Sequence, residues 1–221
     1  MTTTVPVQNS ISGNENCLSL QLKKRTERAH DNAEQSQFMS LLIGGDLEAT
    51  DVIRLHSQYW VFYSALESVM RRSLGDAGVA NMYDPRLERT SCLEHDLQFA
   101  LGDGWKNELE IVAATRDYAE YLRSIEDAAS YRIIAHHYVR YLGDLSGGQV
   151  IFRKLVGDYG FDPAGLTFYR FEGIDKLPPF RARFRKRLDS IELSLEKRDS
   201  LLQEAEKAFD YNLAIFNQLC S

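Results

Sequence analysis

Three residues early in the chain have the types and spacing to do chemistry together. Lys23, His30 and Glu34 lie in the stretch LKKRTERAHDNAEQSQFM, separated by seven and four positions. At about 100° of turn per residue, seven positions return to about −20° and eleven to about +20°, so the three share one stripe of a helix that continues to Glu34. A histidine on such a stripe can offer one ring nitrogen to a metal while a carboxylate one turn on orients the ring. The same spacing also describes an ordinary surface His–Glu pair, and both readings stand at this point.

A second set lies in YVRYLGDLSGGQVIFRKL, Tyr138 to Leu155. Its apolar residues recur with a helical period, yet Gly143, Gly147 and Gly148 sit in the middle, each costing a helix about 1 kcal/mol relative to alanine. Gly143 and Gly147 are four apart and share a face. A helix without side chains there lets a flat ligand or another backbone come very close, and adjacent glycines permit a kink. Arg140 and Asp144, one turn apart, can pair or share ordered water beside the gap. Their charges exclude a lipid-facing small-x-x-x-small contact. Tight packing of two helices and a planar ligand against bare backbone remain. The two sets together suit a flat metal macrocycle held between a neutral imidazole and a bare, water-bearing face. No cysteine has a context that indicates thiolate ligation.

Other metal chemistry is poorly supported. Glu27 to His30 is a Glu-x-x-His motif, but a di-iron helical bundle needs two of these plus further glutamates, and no second one exists. His136 and His137 read as an exposed pair, and His56 and His95 have weaker contexts.

The elements that must position these residues are helical throughout. Helical spacing predicts helices near 18–33, 46–73, 85–101, 105–126, 127–157, 179–190 and 194–219, with no long strand-like alternation. Asp46 is the expected N-cap of the second, whose apolar positions are Val52, Leu55, Tyr59, Phe62, Leu66 and Met70. The last is expected to start at Ser194, with Lys197 at the capping-box position. GDAGVANMYDP reads as a loop, and YGFDPAGLTFYRFEGIDKLPP mostly as a connection. The fold expected is a single all-α domain over residues 17–221, preceded by a disordered lead-in over residues 1–16.

Composition narrows the function classes. A chain of 221 residues with 44% hydrophobic residues can build a real core. The formal charge of −6, with Lys and Arg spread along the chain, argues against nucleic-acid binding. The three cysteines Cys17, Cys92 and Cys220 are far apart and odd in number, which suits a reducing compartment and not a disulfide framework or structural zinc. No stretch reaches the ~18 apolar residues of a membrane span, and the N-terminus has neither the basic nor the apolar part of a secretory signal. The expected location is the cytoplasm.

The ordered motifs RAHDNAE, FYSALE, SCLEHDLQFALG, HHYVRYLGDLSGGQVI and AFDYN, spread from about Leu18 to about Leu219, closely resemble haem oxygenase, particularly the soluble bacterial type. The resemblance implies a haem oxygenase-like helical fold with haem between a proximal and a distal helix. It implies that haem is both substrate and cofactor, opened with O2 and reducing equivalents to biliverdin (mainly the α isomer), CO and ferrous iron. Residue by residue, it makes His30 the proximal iron ligand and Glu34 the carboxylate near its other nitrogen. Gly143 and Gly147 become the distal glycines, and Asp144 the carboxylate that organises water beside bound oxygen, with Arg140, Tyr63 and Asn212 in the same polar network. Lys23, Tyr138, Arg181 and Arg185 match positions that meet the haem propionates.

No Gly-x-Gly-x-x-Gly fingerprint is present, so electrons must come from an external donor protein, a reductase or ferredoxin, for which FRARFRKR is the candidate basic docking rim. The membrane anchor of some animal relatives has no counterpart, and a monomer is implied. The alternative is a haem carrier or sensor that does not turn haem over. Loss of Asp144 or Gly143 would have favoured it, and both are present.

Overall fold

The computed structural model describes residues 17–220; the expected lead-in, residues 1–16, lies outside them. Among the described residues the structure is helical with no strand, as the spacing predicts. The helices are α1 (Leu18–Glu34), α2 (Gln37–Gly44), α3 (Ala49–Arg72), α4 (Ala77–Met82), α5 (Thr90–Leu101), α6 (Ala113–Arg123), α7 (Ile133–Asp144), α8 (Gly148–Gly157), α9 (Leu177–Asp189) and α10 (Leu195–Leu219). Short 3₁₀ turns lie between several of them.

Local hydrogen-bond chemistry explains where the predicted boundaries shift. Asp46 does not cap α3. Gly45 adopts φ +86° at the end of α2, and the amides of Gly45 and Asp46 both bond to the Leu41 carbonyl at 3.0 Å. Asp46 therefore closes α2 in a Schellman-type end, and Glu48 caps α3 in a reciprocal box with Asp51. The region predicted as one helix over 105–126 is split because Gln58 captures its backbone. The Gln58 amide donates to Glu110 O at 2.9 Å and accepts from Val112 N at 3.0 Å, which leaves α6 to begin at Ala113. The loop predicted over GDAGVANM contains α4, six residues long. Asp76 caps it through Gly78 N and Val79 N, and Val79 and Met82 anchor it in the core. Ser194 caps α10 as expected, accepting from Lys197 N at 3.3 Å.

The predicted helix 127–157 is three pieces: a 3₁₀ stretch, α7, and α8, with a break at 145–147. α7 is the central helix, buried at every position from Ile133 to Tyr141. That corrects the reading of His136 and His137 as exposed: they retain 0% and 2% of their exposure. Adjacent residues on a helix point about 100° apart, so both can be buried only when the helix is covered on all sides. The first and last helices pack side by side in parallel. Gln21 meets Arg198, Arg25 pairs with Glu206 at 2.9 Å, and the His30 ring stands edge-on to Phe209 at 5.8 Å. Ser19 at the start of α1 bonds Asp189 at the end of α9 through its amide and its hydroxyl.

Candidate active site

A cavity of about 620 Å³ opens between α1 on one side and the α7–α8 break on the other, with α10 forming its back wall. Its size is that of a site for one cofactor-sized molecule, ~300–1,000 Å³. His30 lines it from α1, with a half-exposed side chain. Its Nε2 lies 3.6 Å from Glu34 Oε1 and its Nδ1 3.6 Å from Asp31 Oδ1. Both gaps exceed a hydrogen bond, so the ring is bracketed by two carboxylates and held by neither. Asp31 is a partner the sequence reading missed, although it adjoins the histidine in RAHDNAE.

Opposite lies the glycine segment. Gly143 and Gly147 are exposed to the cavity and line it. A Cβ built on Gly143 meets nothing within 4 Å, and one on Gly147 meets only Gly143 O at 3.6 Å. Neither glycine is therefore required by helix packing. Gly148 differs: it is buried, and a Cβ there would touch Tyr169 and Asp144. The break itself follows from the glycines' low helical preference.

Beneath the bare face sits a compact polar network. Asp144 is buried, and its Oδ2 accepts a short hydrogen bond from the Tyr63 hydroxyl. Arg140 donates from Nε to Tyr63 Oη at 3.2 Å, from Nη1 to Asn212 Oδ1 at 2.9 Å, and from Nη2 to Asp144 Oδ1 at 3.5 Å. Asn212 donates to Ala208 O at 2.7 Å, which fixes its amide orientation. The Arg140 guanidinium also lies 4.8 Å over the Tyr59 ring and 5.3 Å over that of Tyr63. Burial pushes the Asp144 carboxyl above its usual pKa, against the pull of Arg140 and of the Tyr63 hydrogen bond. Burial likewise raises Tyr63 well above the usual phenol. Spacing paired Arg140 with Asp144 and the family resemblance added Tyr63 and Asn212, and the structure brings all four together.

At the mouth, Lys23, Tyr138 and Arg185 line the cavity. Lys23 and Arg185 are exposed and carry no ion pair among the described residues. Arg181 is placed differently: it does not line the cavity. Its Nη1 donates to Leu145 O at 3.1 Å and Ser146 Oγ at 2.8 Å. Leu145 caps the C-terminus of α7, where carbonyls lack intrahelical partners and a cation is favoured. Arg181 thus ties α9 to the helix break. The apolar lining from Met39, Leu142, Ile151, Phe209 and Phe216 was not singled out from sequence, because each reads as an ordinary core position.

The arrangement suits a flat, anionic-edged ring: imidazole on one face, bare backbone and a polar network on the other, free cations at the edge. Fold and site together define a helical protein with a cavity, between two helices, that fits a flat ring. The comparisons agree. The family model described as "Heme oxygenase" matches residues 16–218. Heme oxygenase 1 of the cyanobacterium Synechocystis is 32% identical over 91% of this chain and 84% of its own length. Heme oxygenase of Takifugu rubripes is 37% identical over 91% and 74%. Heme oxygenase 2 of Macaca fascicularis is 35% identical over 91% of this chain, which spans 65% of the macaque protein. The crystal structure of Synechocystis heme oxygenase-1 in complex with haem superposes with a TM-score of 0.88 at 32% identity, covering 92% of each chain. Heme oxygenase of Leptospira interrogans gives 0.87 at 31% identity, covering 91% of this chain and 99% of that one. The chain belongs to the haem oxygenase family, and on that membership it is a haem-degrading enzyme. Among the described residues no helix is long and apolar enough to cross a membrane.

Proposed function

We propose that this chain binds haem in the cavity between α1 and the α7–α8 break and opens it with O2 and electrons to biliverdin, mainly the α isomer, CO and ferrous iron. The observation that carries this is the empty volume beside Gly143, where a side chain would fit and none is present, facing His30 across the cavity. When bound, haem supplies the iron that activates O2.

The residues supply everything else. His30 would hold the iron through one ring nitrogen, and Asp31 or Glu34 would take the hydrogen of the other, according to which way the ring is turned. As a neutral ligand it favours O–O cleavage less than a thiolate would. Asp144, held by Tyr63 and Arg140, keeps water and a proton beside the open face of the iron. Asn212 fixes Arg140 from behind. Gly143 and Gly147 bring backbone close to the ring and narrow the directions in which oxygen can lie. Lys23, Tyr138 and Arg185 hold the propionates and so choose which ring edge meets the oxygen. Arg181 acts at one remove, by setting the angle of the break.

Electrons come from a separate donor protein. The basic exposed side chains of α9, among them Arg183, Arg185 and Lys186, offer an acidic donor a docking face beside the cavity mouth. Residues 17–221 act as one haem oxygenase unit, as a monomer. The three cysteines, all unpaired, suit the reducing cytoplasm.

The test follows the Soret band of the haem-loaded protein given O2 and a reductant. Loss of the band with growth of biliverdin absorbance is expected. A persistent band under the same conditions would indicate a carrier or sensor instead.

A further inference from the structure

Aromatic rings form an unbroken series from the cavity wall to the surface. Tyr59 lines the cavity. From its ring the centroid separations are 5.3 Å to Phe62, 5.3 Å on to Tyr118, and 4.7 Å on to Tyr211, stacked at 15°. Tyr63 joins the series 5.0 Å from Phe62. Tyr118 is fully buried, whereas Tyr211 is only half-buried. Rings in contact are a good medium for single electrons, and phenols within such a series are places where an electron vacancy can rest.

A phenol gives up an electron readily only if its proton has a base to move to. Tyr118 has one. Its hydroxyl lies 3.0 Å from His136 Nδ1, and His136 Nε2 lies 3.1 Å from Glu204 Oε2. A carboxylate only accepts, so the Nε2 hydrogen points to Glu204 and Nδ1 is left as the acceptor for Tyr118. An imidazolium formed there would sit against the Glu204 carboxylate. Cations decide which rings hold the vacancy. Arg140 lies 4.8, 4.9 and 5.3 Å over Tyr59, Phe62 and Tyr63, and a positive charge over a ring opposes removal of an electron. Lys207 does the same to Tyr121 at 3.9 Å. No cation lies over Tyr118 or Tyr211 among the described residues, and Arg140 acts on Tyr118 only from beyond that contact range.

We propose that Tyr118 and Tyr211 form a conduit that carries stray oxidising equivalents from the haem cavity to the protein surface, with His136 receiving the Tyr118 proton. The function is protective and separate from ring opening, and it rests on the reading that haem occupies the cavity. The oxidant is a peroxide at the haem that fails to react with the ring. Each phenol loses one electron and one proton and becomes a neutral phenoxyl radical. Two such electrons, with two protons drawn from water, reduce one hydrogen peroxide to two waters; electrons from the external donor, with the protons returned by His136 to Tyr118 and by water to Tyr211, restore the phenols.

The haem-loaded full chain is treated with hydrogen peroxide and a nitroso spin trap, and the adducts are mapped by peptide mass analysis, with tyrosyl radical followed by electron paramagnetic resonance. The expected adduct is on Tyr211 and is absent when haem is omitted. In Tyr118→Phe most of that adduct is lost and label shifts to Tyr59 or Tyr63. In Tyr211→Phe, a change at a half-buried ring that leaves the core intact, the surface adduct is lost while a tyrosyl signal remains at Tyr118. An unchanged Tyr211 adduct in Tyr118→Phe, an adduct formed without haem, or loss of the whole tyrosyl signal in Tyr211→Phe would each overturn the conduit. If the wild type shows no Soret band with haem, the functional reading fails and the conduit with it. A normal Soret band with unmoved label defeats the conduit alone.

Discussion

His30 is half exposed, bracketed by two carboxylates and bonded to neither, so replacing it disturbs little of the protein. His30→Ala is expected to keep haem association through the mouth cations and the apolar lining, yet to lose the histidine-type spectrum of the ferric complex and all turnover. An unchanged spectrum would assign the iron to another residue. Asp144 is the opposite case: buried, bonded to Tyr63, and part of a set whose members act together. Asp144→Ala removes the group proposed to keep a proton beside the iron. The rate of biliverdin formation should fall about a hundredfold or more, the scale of a lost proton-positioning group, while oxidation of an added phenol by peroxide rises. A wild-type rate would show that the glycines alone steer the oxygen. At the mouth, Lys23→Ala/Arg185→Ala should loosen ring seating and add minor biliverdin isomers. A single α isomer on chromatography would remove both residues from the choice of ring edge.

The glycine segment turns one helix into two, and its prediction belongs at the scale of the element. Gly143 has helical φ and open space where a Cβ would stand. Gly143→Ala should therefore stabilise the haem-free protein by up to about 1 kcal/mol and at the same time weaken haem binding, with thermal melting and haem titration moving in opposite senses. Destabilisation of the haem-free form would mean that helix packing, not ligand space, requires the glycine. Much of this element was legible: the glycines, Arg140 and Asp144 announce a bare face with charge beside it. The split of the helix was only half legible: adjacent glycines permit a kink, but the period of apolar residues runs on through the break. Nor was Arg181's tie to Leu145 O, since it depends on how α9 crosses the break, which no local spacing records. His136 and His137 were misread for a related reason. Whether a helix is covered on one side or on all sides is decided by its neighbours. Short α4 escaped notice because its glycine and asparagine look like a loop, and burial of Val79 and Met82 outweighs them.

Across the whole molecule, buried histidines set the response to acid. Burial lowers His56 to about 4 and His137 to about 3, and also lowers His136. In the unfolded chain each takes a proton near the usual value of ~6.5. Their stability contribution is thus whole above that value and is lost as pH falls toward 4 and 3. Glu204 adds a second phase: its hydrogen bonds from His136, Tyr121 and Arg132 outweigh burial and hold it at about 2, so its contribution fades between the usual carboxylate range and that pH. Urea midpoints should fall steadily from pH 7 to pH 4. His137→Phe should flatten the curve, because His137 Nδ1 is buried without a partner and the ring already stacks parallel to Phe184. An equally steep pH dependence in that variant would remove His137 as a cause.

The parallel pairing of α1 with α10 has one more consequence, for biosynthesis. The helix that carries His30 is among the first parts of the described chain to leave the ribosome. The wall it needs, Phe209, Asn212 and Phe216, is among the last. Between them the nascent chain must hold α1 without its partner, with Leu18 and Leu22 uncovered on that side. A polypeptide stopped before residue 209 has the histidine but lacks the cavity wall that Phe209, Asn212 and Phe216 supply, so the proposed haem site is incomplete until that segment is made. The order of the helices thus makes the proposed seating of haem a late event in the synthesis of the described chain.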